Sequence, residues 1–316
     1  MSYTVYVDGQ EGTTGLQINE LLARRRDIEV LRIADELRKD SRERARLLNA
    51  ADVVFLCLPD QAAREAAGWV TNPRTCVIDA STAHRVDPAW VFGLPELARE
   101  QRDRLRRSKR ISNPGCHATA FILLIRPLVD AGLIDPRLGL AAMSITGYSG
   151  GGRKLIEQYR AEPLSQRLQS PRPYGLGLAH KHVPEMTRWS GLQTRPVFMP
   201  VVANFYKGLA VSVPLHLSVL SKGVDAGRLH DVLGERYAGE RFIRTMPLSD
   251  VAALDSGYFD VQACNDSNRC EIFVFGSTDQ AILIARLDNL GKGASGAAVQ
   301  SMNLHLGLDE ALGLVA

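Results

Sequence analysis

The stretch Tyr3-Thr4-Val5-Tyr6-Val7-Asp8-Gly9-Gln10-Glu11-Gly12-Thr13-Thr14-Gly15 decides how the chain begins to fold. Its first five residues are β-branched or aromatic and read as a buried strand. Glycines 9, 12 and 15 follow, and Leu16, Ile18, Leu21 and Leu22 then recur at helical spacing. A strand, a glycine turn and a helix in that order let backbone approach a pyrophosphate and aim helix N–H groups at it. Gly9, Gly12, Thr13, Thr14 and Gly15 are therefore candidate cofactor contacts. The spacing is GxxGxxG rather than GxGxxG, and an ordinary strand-to-helix turn uses the same glycines, so the continuation has to decide.

The continuation alternates. Residues 28–33, 52–58 and 75–79 read as strands, and residues 41–50 and 61–70 as helices. Such alternation predicts a Rossmann-like parallel sheet with right-handed crossovers, an α/β fold. Ligands bind at the carboxyl ends of strands in such sheets. Those ends carry the glycine turn, Cys57-Leu58-Pro59, Ala80-Ser81-Thr82 and Asn113 to Cys116. Ser81 joins the cofactor candidates. After the second strand, Asp35 and Glu36 would suit a free ribose 2′-hydroxyl, while Arg38 and Lys39 would accept a 2′-phosphate. The pair of cations favours NADP; the plain alternative is a solvated charged loop.

Asn113-Pro114-Gly115-Cys116-His117 precedes an apolar run of helical length. It puts Cys116 at a helix N-terminus, where exposed N–H groups and the helix dipole favour thiolate. A buried structural cysteine is the alternative. Further on, Gly147-Tyr148-Ser149-Gly150-Gly151-Gly152-Arg153-Lys154 follows a strand at 138–145. Ser149 and Gly150 suit a loop that approaches a ligand, and Arg153 could meet an anion; a surface loop has the same composition. His180-Lys181-His182-Val183-Pro184-Glu185 packs two histidines and an acid into six residues, with Pro184 placed for the first turn of a helix. Acid–base work beside a cysteine, zinc binding and a polar loop all remain open, zinc least because no cysteine is nearby in sequence.

The second half is a run of alternating apolar segments at 197–202, 209–217, 241–245, 258–264, 269–276 and 280–287, with a helix near 225–237. It predicts an α+β domain with a meandering, largely antiparallel sheet. The glycine-rich turn Asp288-Asn289-Leu290-Gly291-Lys292-Gly293 then opens a helix to about residue 306. That helix is expected to return to the first domain.

Composition narrows the class. A net charge of +3 over 316 residues argues against a nucleic-acid surface. No apolar run is long enough for a membrane span, and no signal peptide precedes the first strand. Five scattered cysteines without CxxC fit a reducing cytoplasm.

Taken in order, VDGQEGTTGLQ (7–17), VIDASTAHR (77–85), GLPE (93–96), SNPGC (112–116), SGGGR (149–153), HKHVPE (180–185) and LDNLGKGASGAAVQSMN (287–303) resemble the shorter form of N-acetyl-gamma-glutamyl-phosphate reductase. That family is similar in architecture to aspartate-semialdehyde dehydrogenase. The resemblance implies an NADP-binding domain at 1–115, completed by the C-terminal helix 288–316, and a catalytic, substrate and oligomerisation domain at 116–287. It implies Cys116 as nucleophile and His182, or else His180, as acid–base. It implies cofactor contacts at Asn289, Gly291, Lys292 and Gly293, and substrate contacts at Arg85, Asn113, Ser149, Gly150, Arg153 and Glu185. No metal is implied. The partner is a small acyl phosphate, and the assembly a homodimer or homotetramer. Residues 201–208 depart from the histidine-containing loop of the longer form, so contacts there are not carried over. Another acyl-phosphate reductase is the nearest rival; a non-catalytic NADP-binding regulator is a rival of a different class, with no use for Cys116 and the histidines together.

Overall fold

The computed structural model describes residues 2–9 and 12–316. The chain divides into two compact units, residues 1–115 with 294–315, and residues 116–293.

In the first unit the chain alternates as β1 (Tyr3–Asp8), α1 (Thr13–Ala23), β2 (Ile28–Leu31), α2 (Ser41–Ala50), β3 (Val53–Leu56), α3 (Asp60–Gly68), β4 (Cys76–Asp79), β5 (Val91–Phe92), α4 (Gln101–Arg107) and β6 (Arg110–Ser112). The sheet order is β2-β1-β3-β4-β6-β5, and every pairing is parallel. Alternate residues of each strand feed two cores, because side chains on a strand point to opposite faces. Val5, Val7, Val53, Phe55 and Ile78 face one core; Tyr6, Val54, Leu56 and Val77 face the other. Strands 28–33 and 52–58 are shorter than their apolar runs suggest. β5 and β6 were not anticipated: strands of two and three residues leave no periodicity to read.

The second unit opens with α5 (Cys116–Asp130), followed by β7 (Ala141–Gly147), α6 (Gly152–Arg160), β8 (Arg172–Pro173), α7 (Val183–Trp189), β9 (Val197–Ala203), β10 (Leu209–His216), α8 (Ala226–Tyr237), β11 (Ile243–Thr245), β12 (Cys270–Gly276) and β13 (Gln280–Leu287). α5 is buried nearly all round, with eleven of its fifteen residues inside. Each buried Leu, Ile or Phe contributes roughly 1.5–3 kcal/mol. Pro127 lies inside α5 and cannot donate to the Leu123 carbonyl four residues back. The Tyr237 hydroxyl of α8 donates to that carbonyl at 2.7 Å, so the buried acceptor is satisfied.

The second sheet has the order β11-β12-β13-β10-β7-β9-β8. Four of its six pairings are antiparallel, but β7 with β9 and β11 with β12 are parallel. It is therefore not a meander. The expected strand at 258–264 does not form. Tyr258 makes an isolated bridge with Asp255, and the Asp260 carboxylate accepts from the Gln262 N–H at 2.8 Å, which turns the chain. α5 and α8 cover one face of the sheet. The other face exposes Met143, Val197, Met199 and Ile282. The register sets Met143 beside Met199 and Ala141 beside Val197. After β13, one wide helical turn (Gly291–Ser295) leads into α9 (Gly296–His305). α9 packs against α1, α4 and β4 and adds Ala298, Val299 and Met302 to the first unit's core.

Candidate active site and cofactor cavity

In the first sheet the chain runs from β1 to β2 on one side, then places β3 on the other side of β1. A crevice opens at such a reversal, at the carboxyl ends of the strands. A cavity of about 390 Å³ lies there, lined by residues that include Asp8, Gly9, Gly12, Arg38, Lys39, Arg44, Cys57 and Pro59. Gly9 has φ +88°, and a Cβ there would meet the Cys57 carbonyl oxygen at 2.3 Å. Only glycine passes so close to the neighbouring strand. Gly12 caps α1 with no side chain on its first turn, and that turn holds no acidic residue. The glycine cradle, uncapped helix start and cations suit a dinucleotide's phosphates. Thr13, Thr14 and Gly15 form that first turn. Arg38 is ion-paired with Asp35 and Lys39 is exposed. Arg44 and Asp8, which the sequence reading did not single out, face each other across the cavity wall at 2.8 Å.

The end of β4 carries a buried carboxylate cluster. Asp79 accepts from the Ser81 N–H at 2.9 Å and the Ser81 hydroxyl at 2.7 Å, and pairs with His84 Nδ1 at 2.7 Å. His84 also stacks on Trp90 at 4.0 Å. Ser81 is thus held by Asp79. Arg85, expected at an anion, is buried and donates to the backbone carbonyls of Asn113 (2.9 Å) and Ala80 (3.2 Å). The Asn113 N–H donates to Asp79 O at 2.7 Å and its Nδ2 to Ala294 O at 2.9 Å. The turn before Cys116 is therefore fixed at both its backbone and side chain. Asn113 Oδ1 is buried without a hydrogen-bond partner among the described residues.

Cys116 is the first residue of α5 and is half-buried. Its Sγ and one ring nitrogen each of His117 and His182 all lie within 4.8 Å of one another. His117 is held at both nitrogens, Nδ1 by Ser144 Oγ at 2.8 Å and Nε2 by Tyr174 Oη at 3.1 Å. Burial, with His180 and Lys181 nearby, pushes its pKa down to about 3. It is a neutral, fixed imidazole. A metal on these three residues would have to break one of the His117 bonds. His180 Nδ1 accepts from the His182 N–H at 3.2 Å, and the two rings meet edge-on at 4.8 Å. His180 therefore shapes the turn, while His182, the N-cap of α7, is buried beside the sulfur. Pro184 occupies the first turn of α7 as anticipated, and Glu185 is buried there.

A second group of loops meets at Asn289. Its Nδ2 donates to Ser149 Oγ at 2.9 Å and its Oδ1 accepts from the Gly208 N–H at 2.8 Å. Gly150 lies against the same amide. A Cβ on Gly291 would strike the Ser267 carbonyl at 2.3 Å. A Cβ on Gly293 would lie 2.6 Å from the Cys116 Cβ. Lys292 is fully buried, with its ammonium 5.6 Å from the Phe242 ring centroid. Arg153 is exposed on α6 and paired with Glu157 at 2.8 Å. Asn289, Gly291, Lys292 and Gly293 all belong to the second unit.

Comparison with known proteins places this arrangement. Residues 4–105 match the semialdehyde dehydrogenase NAD binding domain, and residues 116–289 the semialdehyde dehydrogenase dimerisation domain. N-acetyl-gamma-glutamyl-phosphate reductase 2 of a Nostoc species is 45% identical over 98% of each chain. The N-acetyl-gamma-glutamyl-phosphate reductase of Burkholderia ambifaria is 44% identical over the same shares. The chain belongs to the N-acetyl-gamma-glutamyl-phosphate reductase family. The fold extends beyond close relatives of that family. Aspartate semialdehyde dehydrogenase II from Vibrio cholerae, solved with ASA, superposes with a TM-score of 0.69 at 16% identity, over 97% of this chain and 99% of that one. In this chain Cys116 and His182, from the cysteine turn and the histidine motif, meet at Sγ. His117, Ser144 and Tyr174 were missed in the sequence. His117 stands next to Cys116 in the chain, but neighbours on a helix do not ordinarily share a face. Ser144 and Tyr174 carry no motif.

Proposed function

We propose that the protein reduces N-acetyl-gamma-glutamyl phosphate to the semialdehyde with NADPH, releasing phosphate, through a thioester on Cys116. The observation that carries this reading is the meeting of the Cys116 sulfur with His182 in a family of this name. His182 takes the thiol proton, and the thiolate attacks the acyl carbon. The carbon–sulfur bond forms, the bond to the phosphate oxygen breaks, and inorganic phosphate leaves. NADPH, when bound, supplies the hydride that takes the thioester to the aldehyde oxidation level. Collapse then expels the thiolate, and protonated His182 returns the proton to sulfur or oxygen. N–H groups at the start of α5 hold the developing oxyanion. His117, neutral and fixed at both nitrogens, is a wall of the site rather than its base.

The preference for NADP rests on Arg38 and Lys39 in the cavity wall. Ser149, Gly150, Arg153 and Glu185 are proposed substrate-side residues. Arg85 is proposed to position the Asn113 turn through its carbonyl. The open sheet face around Met143 and Met199 is the surface for a second copy, in keeping with the dimerisation domain; light scattering should give the mass of at least two chains. A soluble, intracellular setting suits this chemistry, and among the described residues no helix is long and apolar enough to cross a membrane.

The test is an NADPH-oxidation assay with the acyl phosphate. Wild type should turn over and release phosphate, and Cys116→Ser should lose at least about 10³-fold in kcat while still binding NADP+. Near-normal turnover in the variant would refute the covalent route.

A further inference from the structure

We infer that the Asp8–Arg44 pair is a charge lock on the cofactor cavity: Arg44 supports dinucleotide binding by neutralising Asp8, not by touching a phosphate. The inference rests on the reading that this cavity takes NADP.

Asp8 is the last residue of β1 and lines the cavity, 4% exposed. A carboxylate at that position faces a ligand that carries several negative charges. Unscreened, it would repel them, and in a half-enclosed crevice the repulsion is stronger than in bulk water. Arg44 on α2 meets it with two groups. Its Nη2 lies 2.8 Å from Oδ2, and its Nε lies 3.2 and 3.3 Å from the two carboxylate oxygens. The same guanidinium sits over the Trp69 ring, 4.9 Å from the centroid. Clamped between a carboxylate and an aromatic face, it is poorly placed to turn towards a phosphate. Of the other cations of the wall, Arg38 is itself paired with Asp35, and Lys39 is exposed and carries the attraction. Arg44 is thus a positioning residue whose effect on affinity passes through Asp8.

The two roles separate in a double-variant cycle read by direct binding. NADP+ and NAD+ are titrated by calorimetry into wild type, Asp8→Asn, Arg44→Gln and the double variant, with thermal unfolding of each as a check on folding. Arg44→Gln should weaken NADP+ binding by roughly tenfold, since it bares a carboxylate near phosphates. The double variant should recover to within about threefold of wild type, and Asp8→Asn should bind at least as tightly as wild type. A double variant as weak as Arg44→Gln would overturn the lock and make Arg44 a direct phosphate ligand, and an Asp8→Asn that loses tenfold would overturn it by making Asp8 itself a binding group. Should Arg44→Gln fail to fold, the Asp8→Asn titration still decides. Wild type that binds NAD+ more tightly than NADP+ would instead sink the cofactor reading, a result distinct from the behaviour of the pair.

Discussion

Two histidines two residues apart sit differently, and the proposed chemistry turns on that difference. His180 spends its Nδ1 lone pair on the His182 N–H. His182 is buried with a ring nitrogen near Cys116 Sγ. His182→Asn should therefore lower kcat by about 10²–10⁴-fold with substrate affinity retained. His180→Asn should cost less and mainly through stability, as the lost turn bond contributes about 1 kcal/mol. Steady-state kinetics on both variants checks this, and the reverse ranking would move the base to His180. His117 makes a separate prediction. Its pKa is about 3 when folded, against 6.5 for an ordinary histidine. Between those values the unfolded chain holds a proton that the folded chain refuses. Stability is thus fully present above pH 6.5 and is lost as pH falls towards 3, by up to about 1.4 kcal/mol per pH unit. His117→Gln should flatten the fall in urea midpoint between pH 7 and pH 5. An unchanged slope would mean that His117 is not the group refusing the proton.

The elements that carry these residues were legible to different degrees. β1 and α1 could be read from the first twenty-two residues because apolar runs and glycines are local signals. α2 and β13 have the bounds the pattern gave, at Ser41–Ala50 and Gln280–Leu287. The strand expected at 258–264 failed because apolar residues there compete with an Asp260 turn that periodicity does not weigh. The site was half legible. Cys116 and the histidine motif stood out as reactive residue types. The clamp on His117, from Ser144 on β7 and Tyr174 next to β8, depends on strand packing between residues 27 and 57 positions away. The closeness of the turn after β13 to α5 was equally invisible. It yields a direct test, because a methyl group on Gly293 would stand 2.6 Å from the Cys116 Cβ and 3.1 Å from the Asp288 carbonyl. Gly293→Ala should displace Cys116 and cost about 10²-fold in kcat. Wild-type turnover in that variant would show that the cysteine tolerates the shift.

Across the chain, labour is divided between the two units. The first supplies a strand-order reversal and a cation-lined cavity suited to a dinucleotide. The second supplies the thiol, the histidines and an open sheet face. The cysteines report on this division through their environments. Burial pushes the Cys57 and Cys76 thiols up to about 12 and Cys264 to about 11, and Cys270 is fully buried. These four should alkylate slowly, Cys57 although it is partly exposed on the cavity wall, since the thiolate is the reactive form. Half-exposed at the start of a helix, Cys116 should react first. The most direct measurement is iodoacetamide labelling of the folded protein, with and without N-acetyl-gamma-glutamyl phosphate and in the absence of NADPH, read by peptide mass. The covalent account predicts fast labelling at Cys116, abolished by the acyl phosphate, with the other four cysteines unchanged. Labelling of Cys116 that persists in the presence of the acyl phosphate, or protection at a different cysteine, would contradict it.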